Sequence, residues 1–146
     1  MIREILIRGK DIKTGEWMVG FLFRWKDLAT GKMITVILPL ETEGYHPQVD
    51  PETVGEYTGL KDKNGVKIFE GDIVKKWICG EVLVTCYIVH YVNCGFRLFP
   101  VRRDMRMEEI KANYGTGFIL QRHDDIEQDF EVIGNIHDNP ELLQAN

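Results

Sequence analysis

Cys86, His90 and Cys94 stand four residues apart each time, the spacing at which two thiolates and an imidazole line one face of a helix as metal ligands. Residues 82–92, however, are mostly β-branched and aromatic, so the segment reads as a strand. On a strand the three side chains share a face but spread over about 26 Å, at ~3.3 Å per residue. Zinc holds sulfur at about 2.3 Å and nitrogen at about 2.1 Å, so one ion cannot reach all three. They read instead as buried thiols, free cysteine behaving as a small hydrophobe, beside a histidine on a barrel face.

A second cluster gathers His123, Asp124, Asp125, Glu127, Asp129 and Glu131. Paired carboxylates with an imidazole can bind metal or move protons. The run lacks the glycine and the ligand spacing of a calcium loop and reads as a solvated acidic loop. His137-Asp138 has the form of half a catalytic pair. A triad needs a nucleophile to complete it, and the chain has no serine. Its cysteines lack a nucleophile-turn context, and no glycine-rich phosphate loop of standard spacing is present. The expectation is a non-enzymatic protein with no catalytic residue, metal site or cofactor.

Two further sets suit binding rather than catalysis. Lys75, Lys76 and Trp77 put basic charge beside an indole, and Arg97, Arg102, Arg103 and Arg106 follow. Barrels bind single strands by stacking bases on aromatics over a basic groove. Alternation along a strand points Lys75 with Trp77 and Lys76 away from both. The other set is Trp17, Val19, Phe21, Phe23 and Trp25, five large apolar residues at period two, which is what a strand face requires. Met18 and Leu22 make the opposite face partly apolar as well. A strand covered on both sides, or one at an interface between chains, has that pattern.

The elements that carry these residues follow from the same periodicities. Strands are expected over 2–8, 16–25 and 33–38, joined by a polar loop at 9–15 and a turn containing Gly31. A three-stranded meander is marginal alone, so it should pack on the rest of the chain or on another chain. Residues 39–50 hold Pro39, Gly44 and Pro47 and read as a connection. Asp50-Pro51 suits a helix start, with Gly55 limiting it to about one turn. The expected organisation is therefore an N-terminal β-meander over 1–52 and a second part over 53–146. In that second part Asn64-Gly65 predicts a type I′ hairpin turn, with Lys61, Asp62 and Lys63 solvating its tip. Strands follow near 66–69, 73–78, 81–92, 96–101, 118–122 and 130–136, a meander suited to closing into a small barrel. Residues 102–114 are rich in helix formers and predict one helix, and Asn139-Pro140 opens a terminal helical turn.

Composition narrows the function classes. The 146 residues are 44% hydrophobic, enough for a core without metal or disulfide staples. The net charge of −5 argues against general phosphate-backbone binding, while leaving room for a local basic patch or a basic protein partner. Three cysteines give no paired framework of the secreted kind. No apolar run has the length of a signal peptide or a membrane span. A cytoplasmic protein with reduced thiols and no membrane contact is expected.

The stretch 57–77, YTGLKDKNGVKIFEGDIVKKW, resembles the signature of the YopX-like family of phage and prophage proteins. The likeness continues upstream in Arg8-Gly9-Lys10, Thr14-Gly15-Glu16-Trp17 and the run Val49-Asp50-Pro51-Glu52-Thr53-Val54-Gly55. Downstream it resumes at Glu131-Val132-Ile133-Gly134-Asn135-Ile136 and Asp138-Asn139-Pro140-Glu141-Leu142. It brackets nearly the whole chain, with little that matches over 79–130. The resemblance implies an SH3-like β-barrel over 53–146 with an added β region, a bacterial host cytoplasm, and no assigned activity or site residues. Together these readings favour an interaction module that self-associates or binds another protein through the face of Trp17, Val19, Phe21, Phe23 and Trp25. Single-stranded nucleic-acid binding through Lys75, Trp77 and the arginines is the alternative, and a metal-dependent enzyme at His123, Asp124 and Asp125 a distant third.

Overall fold

The computed structural model describes residues 4–41, 44–78, 81–92, 94–101, 118–119 and 129–144. The protein is mainly β, with ten strands in two antiparallel five-stranded sheets and two 3₁₀ turns among those residues. The helix expected over 102–114 lies outside the described residues. The chain divides into two compact units, Met1–Tyr57 and Thr58–Asn146.

In the first unit β1 (Ile7–Lys10) pairs with β2 (Trp17–Lys26), and β2 with β3 (Met33–Pro39). Leu6, Ile37, Val49 and Tyr57 are buried, as is Val36 on the opposite face of β3 from Ile37. Gly9 is closely packed: a Cβ there meets the side chains of Val49 and Ile37 at 3.0–3.2 Å, so those side chains would have to give way. Gly20 is tighter still, because a Cβ lands on the Leu38 carbonyl of the facing strand.

The residues expected as a bare connection do more than connect. Val49 donates its N–H to the Thr35 carbonyl (2.9 Å) and Ile37 donates to that of Pro47 (3.2 Å). Ile12 donates to the Gln48 carbonyl and Asp50 to that of Lys10. Residues 47–50 thus hold the outer edge of β3 on one side and the end of β1 on the other. Asp50 caps the 3₁₀ turn Pro51–Thr53 by accepting from the Glu52 N–H, as the Asp-Pro pair indicates. The Thr53 hydroxyl then accepts the Lys10 N–H at 2.9 Å.

Strand β4 (Gly55–Lys61) begins in the first unit, where Gly55 and Glu56 face Arg8 and Ile7, and ends in the second beside β5 (Lys67–Phe69). Two glycines conceal it in the sequence, one of them, Gly59, in the left-handed region. The β4–β5 turn corrects the type I′ expectation. Gly65 has φ near 80° but Asn64 is not in the left-handed region. Gly65 donates to the Asp62 carbonyl and Asp62 to that of Val66, so three residues form the loop: a type I turn followed by a left-handed glycine. Asp62 selects this geometry. Its Oδ1 accepts the N–H groups of Asn64 (2.8 Å) and Val66 (2.9 Å), and its Oδ2 accepts that of Val132 (2.9 Å). The aspartate expected to solvate the tip is 3% exposed.

The second sheet runs β10-β6-β7-β8-β9, built from β6 (Asp72–Ile78), β7 (Glu81–Val92), β8 (Gly95–Pro100), β9 (Phe118–Ile119) and β10 (Phe130–Asn135). Both of its faces are apolar. Val74, Val89, Phe96, Leu98 and Phe130 pack with Leu60 and Ile68 of the β4–β5 hairpin. On the reverse, Ile73, Cys86, Ile88, Phe99 and Val101 pack with Ile133, Ile136, Leu142 and Leu143. The last two belong to the 3₁₀ turn Pro140–Leu143. No helix among the described residues is long and apolar enough to cross a membrane.

Candidate interaction surface

The period-two row on β2 divides. Trp17 and Val19 are half-buried, where β1 covers the strand: Val19 faces Arg8, and Trp17 faces Lys10. The Arg8 guanidinium lies 4.6 Å from the Trp17 ring centre and the Lys10 ammonium 5.5 Å, so the indole is bracketed by cations. Beyond Gly20 the cover stops. Phe21, Phe23 and Trp25 remain 55%, 58% and 43% exposed. Phe23 and Trp25 lean together with ring centres 6.2 Å apart. Across the hairpin Phe21, Phe23 and Trp25 face Leu38, Val36 and Ile34 of β3, while the exposed Met33 faces Lys26 on the reverse side and Leu28 stands exposed in the turn.

The basic and aromatic set has a different fate. Lys75 faces Glu131 on β10, and the Trp77 indole N–H donates to Glu131 Oε2 at 2.8 Å. The Lys63 ammonium sits 3.4 Å from the Trp77 ring centre and 3.5 Å from Glu131 Oε2. Asn64 of the hairpin tip also reaches Glu131. Trp77 is therefore clamped between the tip and β10, with a cation on its ring and an acid on its edge. Lys76 lies on the Phe130 ring, 5.6 Å from its centre. Arg97 stands two strands away on β8, facing His90. Arg102, Arg103 and Arg106 lie outside the described residues. Lys75 and Trp77 are thus together, Arg97 apart, and the acid among them was not foreseen. Glu131 could have been suspected only by pairing β10 with β6, which no local pattern reveals.

The thiol and imidazole set also separates. Cys86 is buried in the core and shares a face of β7 with His90, whose ring meets Phe99 edge-on at 5.9 Å. Cys94 is not on the strand at all: it is exposed in the β7–β8 turn at a φ of 64°. No three potential ligands converge on an ion position among the described residues. His123, Asp124, Asp125 and Glu127 lie outside them. In the C-terminal turn the Asn135 side-chain oxygen accepts the N–H groups of His137 and Asp138, both at 2.9 Å, and its amide donates to the Asp138 carboxylate. Asp138 is thus held as a turn residue.

One ionisable pair is perturbed. Tyr45 donates its hydroxyl to Asp11, which also accepts the Lys13 N–H at 2.8 Å. The phenol first, and then that N–H, hold the Asp11 carboxyl below the usual range; Asp11 in turn raises the Tyr45 phenol. The pair fixes residue 45 against the loop after β1 and offers no nucleophile.

No curated protein matches the sequence. Among solved structures, the crystal structure of protein EF1440 from Enterococcus faecalis is similar, with a TM-score of 0.53 and 24% identity over 97% of this chain and 99% of that one. At that identity the likeness is one of fold. The family model described as YopX protein matches residues 8–144, so the whole span from β1 to the last 3₁₀ turn carries the pattern, and the chain belongs to the YopX family.

Proposed function

We propose that this YopX-family chain is a non-enzymatic interaction module of phage or prophage origin, working as a homo-oligomer in the bacterial cytoplasm. The observation that carries the reading is the exposure of Phe21, Phe23 and Trp25 in one row. Each has about half its surface in water, and with about 150–250 Å² of surface per aromatic side chain the three alone expose about 300 Å². An apolar row on that scale, gathered on one face of one strand, supports a surface that meets another protein. The family motif supports the same reading from the other side. Asp50, Thr53, Asp62, Asn135 and Asp138 direct their side chains into turns and caps, which leaves the motif structural rather than chemical. We read the second unit as an SH3-like barrel, supported by the consecutive β6-β7-β8 meander with β10 returned to its edge. Single-strand binding is the weaker reading, because Lys63 occupies the ring on which a base would stack.

Light scattering tests the proposal. The wild-type chain is expected above monomer mass. Replacing Phe21, Phe23 and Trp25 together by serine should give a monomer with an unchanged circular dichroism spectrum. A wild-type monomer at every concentration, or a variant with the wild-type mass, removes this surface from the account.

A further inference from the structure

The contact itself has a geometry that can be worked out, resting on the reading of the chain as a homo-oligomer. Strand β2 has ten residues, but β1 has four and pairs only with Trp17 to Gly20. In the sheet order β2 lies between β3 and β1, so beyond Gly20 the side of β2 that faced β1 has no strand beside it among the described residues. Among the described residues, the edge of residues 21–26 therefore offers backbone donors and acceptors to which no strand is paired, next to the exposed aromatic row. Open edges of this kind invite another strand, and a second copy of the same edge supplies one with matching groups.

Symmetry then restricts the register. In an antiparallel pair, directly opposed side chains point to the same side of the sheet. A two-fold axis maps each face onto itself, so a residue must lie opposite its own copy; a pairing centred between two residues breaks the alternation. Centring on Leu22 requires residues 18–20, whose edge β1 already occupies. Centring on Arg24 places two guanidinium groups opposite one another, and centring on Trp25 opposes Arg24 to Lys26. Like charges directly opposed are unfavourable. Centring on Phe23 alone avoids all three faults. We infer that two copies join edge to edge through residues 21–25 of β2, with Phe23 opposite Phe23 and Phe21 opposite Trp25, in one continuous antiparallel sheet. Arg24 then faces Leu22, and six aromatic rings lie side by side on one face.

Disulfide trapping tests the register. In full-length protein with Cys79→Ser and Cys94→Ser, which keeps the buried Cys86, one further cysteine is placed at Phe23, Arg24 or Trp25. Opposed residues in an antiparallel pair have Cα atoms about 4.5–5.5 Å apart, within the disulfide range. Residue 24 and its copy come out at about 8 Å, and residue 25 and its copy farther, beyond that range. Phe23→Cys is expected to give mostly covalent dimer under mild oxidation, and the other two little. Amide exchange in the wild-type chain provides a second readout without substitution: protection over 21–26 should rise with concentration. A dimer in which Phe23→Cys fails to cross-link while exchange at 21–26 ignores concentration overturns the edge pairing and leaves self-association standing. Cross-linking at Arg24 or Trp25 equal to that at Phe23 overturns the register. A wild-type chain that is monomeric throughout removes the underlying reading as well.

Discussion

Asp62 gives the sharpest test of how this fold is held. Its carboxylate serves three backbone N–H groups, two in its own turn and one on β10, 70 residues away. Asp62→Ala removes all three bonds. A hydrogen bond to a charged group contributes about 1.5–3 kcal/mol. Asn64 and Val66 are exposed, so water replaces the carboxylate at their N–H groups and restores most of the loss. Val132 is half-buried in the β10–β6 ladder and is left with the larger share. One nearly full loss and two partial ones sum to about 3 kcal/mol. With a urea dependence of about 2 kcal/mol per molar, the midpoint should fall by about 1.5 M. Trp77 reports it: its indole is tied to Glu131, next to Val132, and Trp17→Phe with Trp25→Phe makes it the sole indole. Asp62→Asn, which keeps one acceptor, should fall between. A midpoint within about 0.3 M of the parent refutes the claim that this carboxylate joins hairpin to sheet.

Three further outcomes follow from the same geometry. Gly20→Ala drives a Cβ to within 1.9 Å of the Leu38 carbonyl oxygen, a backbone atom that cannot swing away, so β2 and β3 must part. A loss of about 2–3 kcal/mol in thermal or urea unfolding is expected, and a neutral substitution would show the close approach to be absent. The Asp11–Tyr45 pair links stability to pH at both ends. The lowered Asp11 carboxyl stabilises the fold above the usual aspartate value of 3.8 and loses that contribution as pH falls through its lower folded value. The raised Tyr45 phenol contributes fully below 10.0 and fades as pH rises through its higher folded value. Tyr45→Phe should flatten both limbs of a stability–pH curve, and an unchanged curve contradicts the pairing. Finally, a single-stranded oligonucleotide titrated at low salt should leave Trp77 emission unaltered. Salt-dependent quenching would show that Lys63 yields its place to a base.

Strand positions are largely legible, because β2 carries large apolar residues at period two and β3 and β7 are rich in β-branched and aromatic residues. Strand β4 is not, since its glycines and polar residues carry no alternation and its order comes from neighbours. Asn64-Gly65 marks where the hairpin turns but not which turn it makes. Asn-Gly favours two left-handed residues, yet a buried carboxylate just before it collects two turn N–H groups and leaves only Gly65 left-handed. Residues 47–50 show the same limit, since bonds on both sides reach strands far off in sequence. The row on β2 was readable as a row, but not where its cover ends. That depends on β1 being six residues shorter than its partner. Trp77 was recognised as an aromatic among cations, whereas Glu131, which fixes it, lies 54 residues away.

Sedimentation equilibrium on the untagged wild-type chain over a wide dilution series tests the central claim most directly. The open aromatic end of β2 predicts a mass that climbs from one chain towards two as concentration rises, and a Phe23→Ser chain that stays at one throughout. A single-chain mass for the wild type across the whole series, with those rings still in water, would contradict it.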